Sequence, residues 1–435
     1  MSRKIQTIED VAAWQLCCGC GACAAICPDQ IEMFDALDYG HRPRFRDGAA
    51  PTVAQDAMAV CPGIELTRLP MPSDQLGGQR FFDVWGPVLG VWEGHADDPD
   101  IRYEGSSGGA ATALALFAME QLNMQGALHT RARRDIPYLN ETTFSTNKQD
   151  LLAAAGSRYA PASPCDGLRQ IEQAAGPCVF IGKPCDVAAV QKTMAIRPQL
   201  AEKIGLTIAF FCAGTPSTSG TLQMLRQMGI EDPTSVVSLR YRGRGWPGNA
   251  VAEYIDQNGQ KRRKELTYDQ SWGDILQKYR QWRCYICPDH IGEYADIAVA
   301  DAWHRKVEEH QPGRSIIIAR TPRGLEIARK ALAAGFLALD PVQPEILSQC
   351  MPWQTSLKAQ LWARLKTLAL MRVPTPEYQG FNLYKLWKSE LPINVKFHSV
   401  LSTAKRIFVK KLFLKRDGIF TEYSVHCGKA ISEVK

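Results

Sequence analysis

Four of the five cysteines within eleven residues constrain this chain more than anything else in its 435 residues. Cys17, Cys20, Cys23 and Cys27, followed by Pro28, form C-x2-C-x2-C-x3-C-P, a spacing that holds an iron–sulfur cluster. Gly19, Gly21 and Ala22 between them are small, and glycine accepts the positive backbone angles that a tight wrap around a cubane requires. The competing chemistry is a zinc knuckle or a set of buried thiols. Zinc sites, however, usually show two separated pairs rather than four thiols this close together. The run therefore predicts a 4Fe-4S cluster.

The sequence on either side of the run decides which thiols hold it. Thr7 is placed to cap a helix over residues 8–16, with Glu9 and Asp10 in its first turn, and that helix delivers the run. Turn signals at Asp38-Tyr39-Gly40 and Asp47-Gly48 predict hairpins, and a short helix over 53–60 ends at Cys61-Pro62-Gly63. The layout reads as half of a duplicated ferredoxin that has lost its second C-x2-C-x2-C and kept the closing Cys-Pro. In two-cluster ferredoxins the fourth cysteine of each run ligates the other cluster. The expected ligands are therefore Cys17, Cys20, Cys23 and Cys61, with Cys27 in place of Cys61 as the open alternative. Cys18, beside a ligand and unable to point the same way, is expected to ligate nothing.

Fourteen cysteines with no signal peptide ahead of them argue for a reducing compartment and metal chemistry rather than disulfides. The most apolar stretches, 110–119 and 204–214, are too short to span a bilayer, so a cytoplasmic location is expected. A net charge of +6 does not by itself invoke nucleic acid, and no recognition module accompanies it. Much of the excess is local. Lys385, Lys388, Lys396, Lys405, Arg406, Lys410, Lys411, Lys415 and Arg416 cluster near the C-terminus, with Phe397, Leu401, Ala404, Phe408 and Leu412 at helical spacing among them. Such a helix can lie on an anionic membrane surface; the plainer reading is a packed helix with a solvated side.

Beyond a stretch rich in Pro70, Pro72, Gly77 and Gly78, short apolar strands alternate with turns and helical patterns, which predicts α/β architecture. Four parts are expected: a ferredoxin-like segment (1–65), a linker (66–84), an α/β domain (85–345) and a mostly helical basic region (346–435). Gly105-Ser106-Ser107-Gly108-Gly109 opens a helix over 110–122, an arrangement that suits phosphate. Ser157, Arg158 and Tyr159 lie on a second polar loop, with an arginine for phosphate and a tyrosine for a ring. Either loop alone is also what an ordinary exposed turn looks like. Strands over 179–181 and 206–211 end near Lys183-Pro184-Cys185 and Cys212, so two neighbouring strands would bring both thiols to one crevice. Cys284 and Cys287 add a C-x2-C pair, and the next strand ends at Asp301, the candidate acid–base residue. A zinc site or buried thiols are the alternatives for these four cysteines. Cys165, Cys178, Cys350 and Cys427 are assigned no chemistry. No Ser-His-Asp elbow, Walker loop or nicotinamide fingerprint stands in its expected context.

Taken in order, Gly105–Gly109, Gly156–Tyr159, Gly182–Asp186, Phe211–Gly214, Cys284–Asp289 and Ala295–Trp303 resemble the beta subunit of coenzyme F420 hydrogenase/dehydrogenase, over about Trp85 to Arg320. The resemblance implies FAD with an iron–sulfur cluster beside it. It makes Cys185, Cys212, Cys284 and Cys287 ligands of a second 4Fe-4S cluster. It also makes Gly105–Gly109, Ser157, Arg158 and Tyr159 flavin contacts, with Lys183 carried among the cofactor-binding candidates. The expected function is an oxidoreductase that takes electrons from a redox partner protein or reduced carrier and acts on an organic substrate, F420-like or other. The rival is an electron-transfer subunit with no organic substrate of its own.

Overall fold

The computed structural model describes residues 5–46, 55–306, 311–416 and 422–423. The Asp47-Gly48 turn, the start of the helix expected over 53–60 and Cys427 lie outside them. An eight-stranded sheet runs through the middle of the molecule. From edge to edge its strands are Leu337–Pro341, Gly90–Ala96, Ser315–Ala319, Ile297–Asp301, Ile204–Phe210, Cys178–Gly182, Ala127–Ala132 and Asn140–Ser145. Four consecutive strands, from Ile297–Asp301 to Ala127–Ala132, pair in parallel. Their outer neighbours pair antiparallel, so the sheet is mixed rather than wholly parallel.

The apolar runs explain the centre. Val179, Phe180, Ile208 and Ile316–Ile318 are fully buried, as strands covered on both faces must be. One face carries helix Ala110–Gln121, whose Leu114, Leu116 and Phe117 pack on Val179, Leu206, Ile208 and Ile297. The opposite face carries helix Pro184–Ile196. Its Val187–Val190 share one core with Phe180 and with Val11, Leu16, Cys17 and Ala22 of the N-terminal segment. The cysteine run is therefore packed onto the sheet's helical layer.

The stretch expected as a linker is built into the fold. Glu65–Thr67 pairs in parallel with Glu377–Gln379, and residues Gly78–Trp85 form a helix. Arg68 is buried and pairs with Glu293 at 2.8 Å, while Lys358 of helix Gln354–Leu370 reaches the same carboxylate. Prolines and glycines dominate that stretch in sequence, but one buried arginine anchors it. A three-stranded antiparallel sheet, Val236–Arg240, Ala250–Ile255 and Lys261–Leu266, lies outside the alternation expected from sequence. The C-terminal region is helical as expected, ending in Leu383–Glu390 and Ile393–Val409. Among the described residues no helix is long and apolar enough to cross a membrane.

Candidate functional site

The N-terminal thiols are set by one short helix and two glycines. Helix Ile8–Ala13 starts at a Thr7–Asp10 capping box and stops where Gln15 turns left-handed at φ 58°. Cys17, Cys18, Cys20, Cys23 and Cys61 then line one cavity, closed by Ile8, Val11, Met33 and Pro43. Gly19 and Gly21 sit at φ 71° and 90°, and the Gly19 N–H donates to Cys17 Sγ at 3.3 Å. Cys27 is not among the lining residues. It takes a hydrogen bond from the Ala57 amide and lies near Asp56. Burial pushes the Cys17 thiol up to about 11, and pushes Cys23 and Cys61 well above the usual thiol range.

A second thiol group forms at the sheet. Adjacent parallel strands Cys178–Gly182 and Ile204–Phe210 lead to Cys185 and Cys212 just past their carboxyl ends. Cys185 lies in the first turn of its helix, and Cys212 Sγ accepts the Gly214 N–H at 3.4 Å. Cys284 Sγ accepts the Thr215 N–H at 3.4 Å, which ties the 3-10 turn Trp282–Ile286 to the Cys212 loop. After Cys287 the Asp289 carboxylate accepts the N–H groups of Ile291, Gly292 and Glu293 at 2.8–3.0 Å and fixes the loop. Burial pushes Cys212 up to about 12, with Cys284 adding to it, and raises Cys287 further.

Cys18 joins this second group. Cys185 is the first cause that holds its thiol down to about 6, and its charge acts on Cys284. The expectation that Cys18 ligates nothing rests on successive side chains pointing apart, yet Cys18 lines the same cavity as Cys17.

Both thiol groups fit iron–sulfur clusters. Arg42 and Arg283 are buried beside them and favour the thiolate form of Cys18. Each keeps its Nε–H without a hydrogen-bond partner. Arg283 also donates to the carbonyls of Pro62, next to Cys61, and Ile286, next to Cys287, and so joins the two groups. Buried thiolates are costly unless metal and nearby cations offset their charge, and backbone N–H donors aimed at sulfur serve the same end. Among the described residues no three His, Cys, Asp or Glu side chains converge tightly enough for a single metal ion. A four-iron cube takes one thiolate at each iron and spreads its ligands.

The two polar loops meet. Ser106 Oγ accepts the Ser157 N–H at 2.6 Å, and Ser107 hydrogen-bonds Ser315 at 2.9 Å. Gly109, at φ 73°, opens helix Ala110–Gln121 with no side-chain cap, so its first amides suit a cofactor phosphate. Next to this loop stands a centre whose Arg242, Trp246 and Tyr268 none of the sequence motifs includes. Buried Arg242 donates to the Ser106 carbonyl at 2.8 Å, to Tyr159 Oη at 3.2 Å, and to both Asp301 oxygens at 2.6 and 3.1 Å. Its guanidinium lies 5.0 Å over Tyr268 and 5.5 Å over Trp303. Trp246 Nε1 donates to Asp301 at 2.8 Å, and its ring sits 4.9 Å from Trp303. These ring faces, cation and free helix amides fit a flavin. The run Arg242-Gly243-Arg244-Gly245-Trp246-Pro247-Gly248 is the sequence signal that points to this centre.

Three expected residues take duties of their own. Asp301 holds Arg242 and Trp246 with both oxygens, which suits a counter-ion better than a proton carrier. Arg158 donates to Asn140 and to the carbonyls of Leu239, Pro137 and Leu139, bracing its loop and leaving little for phosphate. Lys183 pairs with Asp186 at 2.7 Å, and Cys185 and Cys212 both act on its charge, so it belongs to the second thiol group. A polar cleft of about 450 Å³ beside His41, Thr142, Ser163 and Asp166 contains none of the expected site residues.

Two family models match the chain: coenzyme F420 hydrogenase/dehydrogenase, beta subunit N-terminus, over residues 91–168, and its C-terminus, over 177–345. Together they take in both polar loops, Cys185, Cys212, Cys284, Cys287 and Asp301, and leave the N-terminal thiols outside. The chain is 22% identical over 279 residues to the coenzyme F420 hydrogenase subunit beta of Methanosarcina barkeri, covering 59% of this chain and 84% of that one. It is 26% identical over 251 residues to the F420-dependent formate dehydrogenase 1 subunit beta of Methanococcus maripaludis, covering 58% and 61%. A chain in the solved F420-reducing NiFe hydrogenase complex from Methanosarcina barkeri matches with a TM-score of 0.49 at 18% identity, over 82% of this chain and 99% of that one.

Proposed function

We propose that this chain, which belongs to the coenzyme F420 hydrogenase/dehydrogenase beta-subunit family, is an iron–sulfur flavoprotein oxidoreductase acting on an organic substrate of the F420 class or a related ring. The carrying observation is spatial. Arg283 bonds the stretches beside both thiol groups, and the second group stands at strand ends next to the strand that ends in the Arg242–Asp301 centre. In this reading Cys17, Cys20, Cys23 and Cys61 hold one 4Fe-4S cluster, and Cys185, Cys212, Cys284 and Cys287 hold another. Gly105–Gly109, Ser157 and Tyr159 receive FAD, with Arg242 set towards it by Asp301. When bound, these groups supply one-electron transfer and the exchange of electron pairs with the substrate.

The residues do the rest. Arg42, Arg283 and Lys183 offset buried negative charge at the thiols, and Asp301 fixes Arg242 where negative charge on a ring would be stabilised. Both similar proteins are named as beta subunits, which favours a protein partner as electron donor or acceptor. Peripheral contact with an anionic membrane is supported by the last long helix, which turns apolar side chains outward. Anaerobic mixing with reduced F420 tests the substrate. The bound flavin is expected to bleach; flavin that bleaches with a reduced viologen but not with reduced F420 removes F420 as the substrate.

A further inference from the structure

Arg283 is a buried cation with no carboxylate to neutralise it. Its residue is 3% exposed. Arg68 and Lys358, also buried, both pair with Glu293, and Arg242 pairs with Asp301. Among the described residues Arg283 has no such partner; the groups whose negative charge acts on it are Tyr378, Cys18, Cys287 and Cys185. Its terminal nitrogens go to the backbone, one donating to the Ile286 carbonyl at 3.2 Å and the other to the Pro62 carbonyl at 3.0 Å. The Tyr378 ring lies 5.6 Å from the guanidinium, and its hydroxyl donates to the same Ile286 carbonyl at 2.7 Å. The Nε–H of Arg283 has no hydrogen-bond partner. A buried charge held this firmly is costly without an anion beside it, and the groups around Arg283 that can supply one are the thiol sites.

Each anchor of this cation adjoins a proposed ligand. Arg283 precedes Cys284, Ile286 precedes Cys287, and Pro62 follows Cys61. We propose that Arg283 is the counter-ion shared by both clusters and that it raises the reduction potential of each. This rests on the proposed assignment of Cys17, Cys20, Cys23 and Cys61 to one cluster and of Cys185, Cys212, Cys284 and Cys287 to the other. Reduction adds one electron, and so one negative charge, to a cluster. A fixed cation in a site shielded from water favours that reduced state. Arg283 is not a ligand. It acts through its charge, and it positions the Cys61 and Cys287 stretches through the two carbonyls.

The test compares the intact chain with Arg283→Lys, which keeps the charge, and Arg283→Gln, which removes it. Iron content and a redox titration followed by electron paramagnetic resonance are read for each, and the signal that survives in Cys61→Ser identifies the cluster at the sheet. The intact chain and Arg283→Lys are expected to hold about eight irons, as two cubanes require, with closely matching midpoints. In Arg283→Gln both midpoints should move to more negative potential. Where Arg283→Gln sheds iron instead, both clusters must be lost together while Arg283→Lys keeps both. A shift or a loss at one cluster alone overturns the proposal, and so do unmoved midpoints in Arg283→Gln. Equal effects in the two variants overturn it as well, because the shape of the arginine and not its charge would then be what matters. If the intact chain itself holds only one cluster, the cluster assignment fails first and takes this proposal with it.

Discussion

His129 is buried, His41 and His290 are partly so, and desolvation holds all three imidazoles down to a pKa of about 4. An unfolded imidazole takes its proton near pH 6.5, so each of these groups contributes stability that is present above 6.5 and lost as pH falls towards 4. His129 gives the cleanest test, since it bonds Ser145 inside the strand pair Ala127–Ala132 and Asn140–Ser145, in neither thiol group. Asp35 and Asp166, raised by burial to about 6, carry the opposite sign, so the difference between protein and variant is the quantity to read. Between pH 7.5 and 5 the His129→Gln variant should lose about 2 kcal/mol less stability than the unsubstituted protein, measured by denaturant unfolding. Parallel pH curves would show that His129 does not titrate with folding. At this scale, what the sequence reveals depends on reach. The run at Cys17 and the strand ends at Cys185 and Cys212 are local patterns and could be read directly. Arg242 could not, because the Asp301 that gives it meaning lies 59 residues further on.

Helix Ile393–Val409 shows how an element can be legible in outline and reversed in detail. Its spacing announces an amphipathic helix, yet Ser399, Thr403 and Ile407 face inward. Ile393, Phe397, Leu401 and Phe408 are 68%, 65%, 67% and 62% exposed. The inner face is narrow, because small hydroxyl side chains bring the helix close against Gln354–Leu370, and Thr403 returns its hydroxyl to the Ser399 carbonyl. Several tail cations are tied to the protein, Lys385 to Asp83 and Lys415 to Asp10, while Lys405 and Lys411 stand exposed beside the apolar stripe. Apolar contact, aided by those lysines, should seat the helix on an anionic bilayer. The full chain is expected to sediment with vesicles containing anionic lipid and to stay in solution with neutral ones. Replacing Phe397 and Leu401 together by Ser should weaken that binding more than tenfold, since each buried side chain is worth about 1.5–3 kcal/mol. Equal binding by the variant would contradict the membrane reading. The unforeseen sheet has a comparable cause. Strand Lys261–Leu266 is almost wholly exposed and charged, so no apolar alternation marks it.

Across the whole molecule the N-terminal segment is wired into the sheet domain rather than tethered to it. Cys17, Leu16 and Ala22 share a core with Val187–Val190, and the Cys165 amide donates to the Cys20 carbonyl at 3.0 Å. Arg283 joins the Cys61 and Cys287 stretches, while Arg68 and Lys358 converge on Glu293 from opposite ends of the chain. This close seating holds the stretches that carry the two thiol groups against one buried arginine, Arg283. Iron and flavin content of the anaerobically purified chain, with Cys61→Ser and Cys27→Ser beside it, tests that account most directly. About eight irons and one FAD are predicted for the unsubstituted chain and for Cys27→Ser, and about four irons for Cys61→Ser. A protein with zinc in place of iron, or with four irons and no flavin, would contradict it.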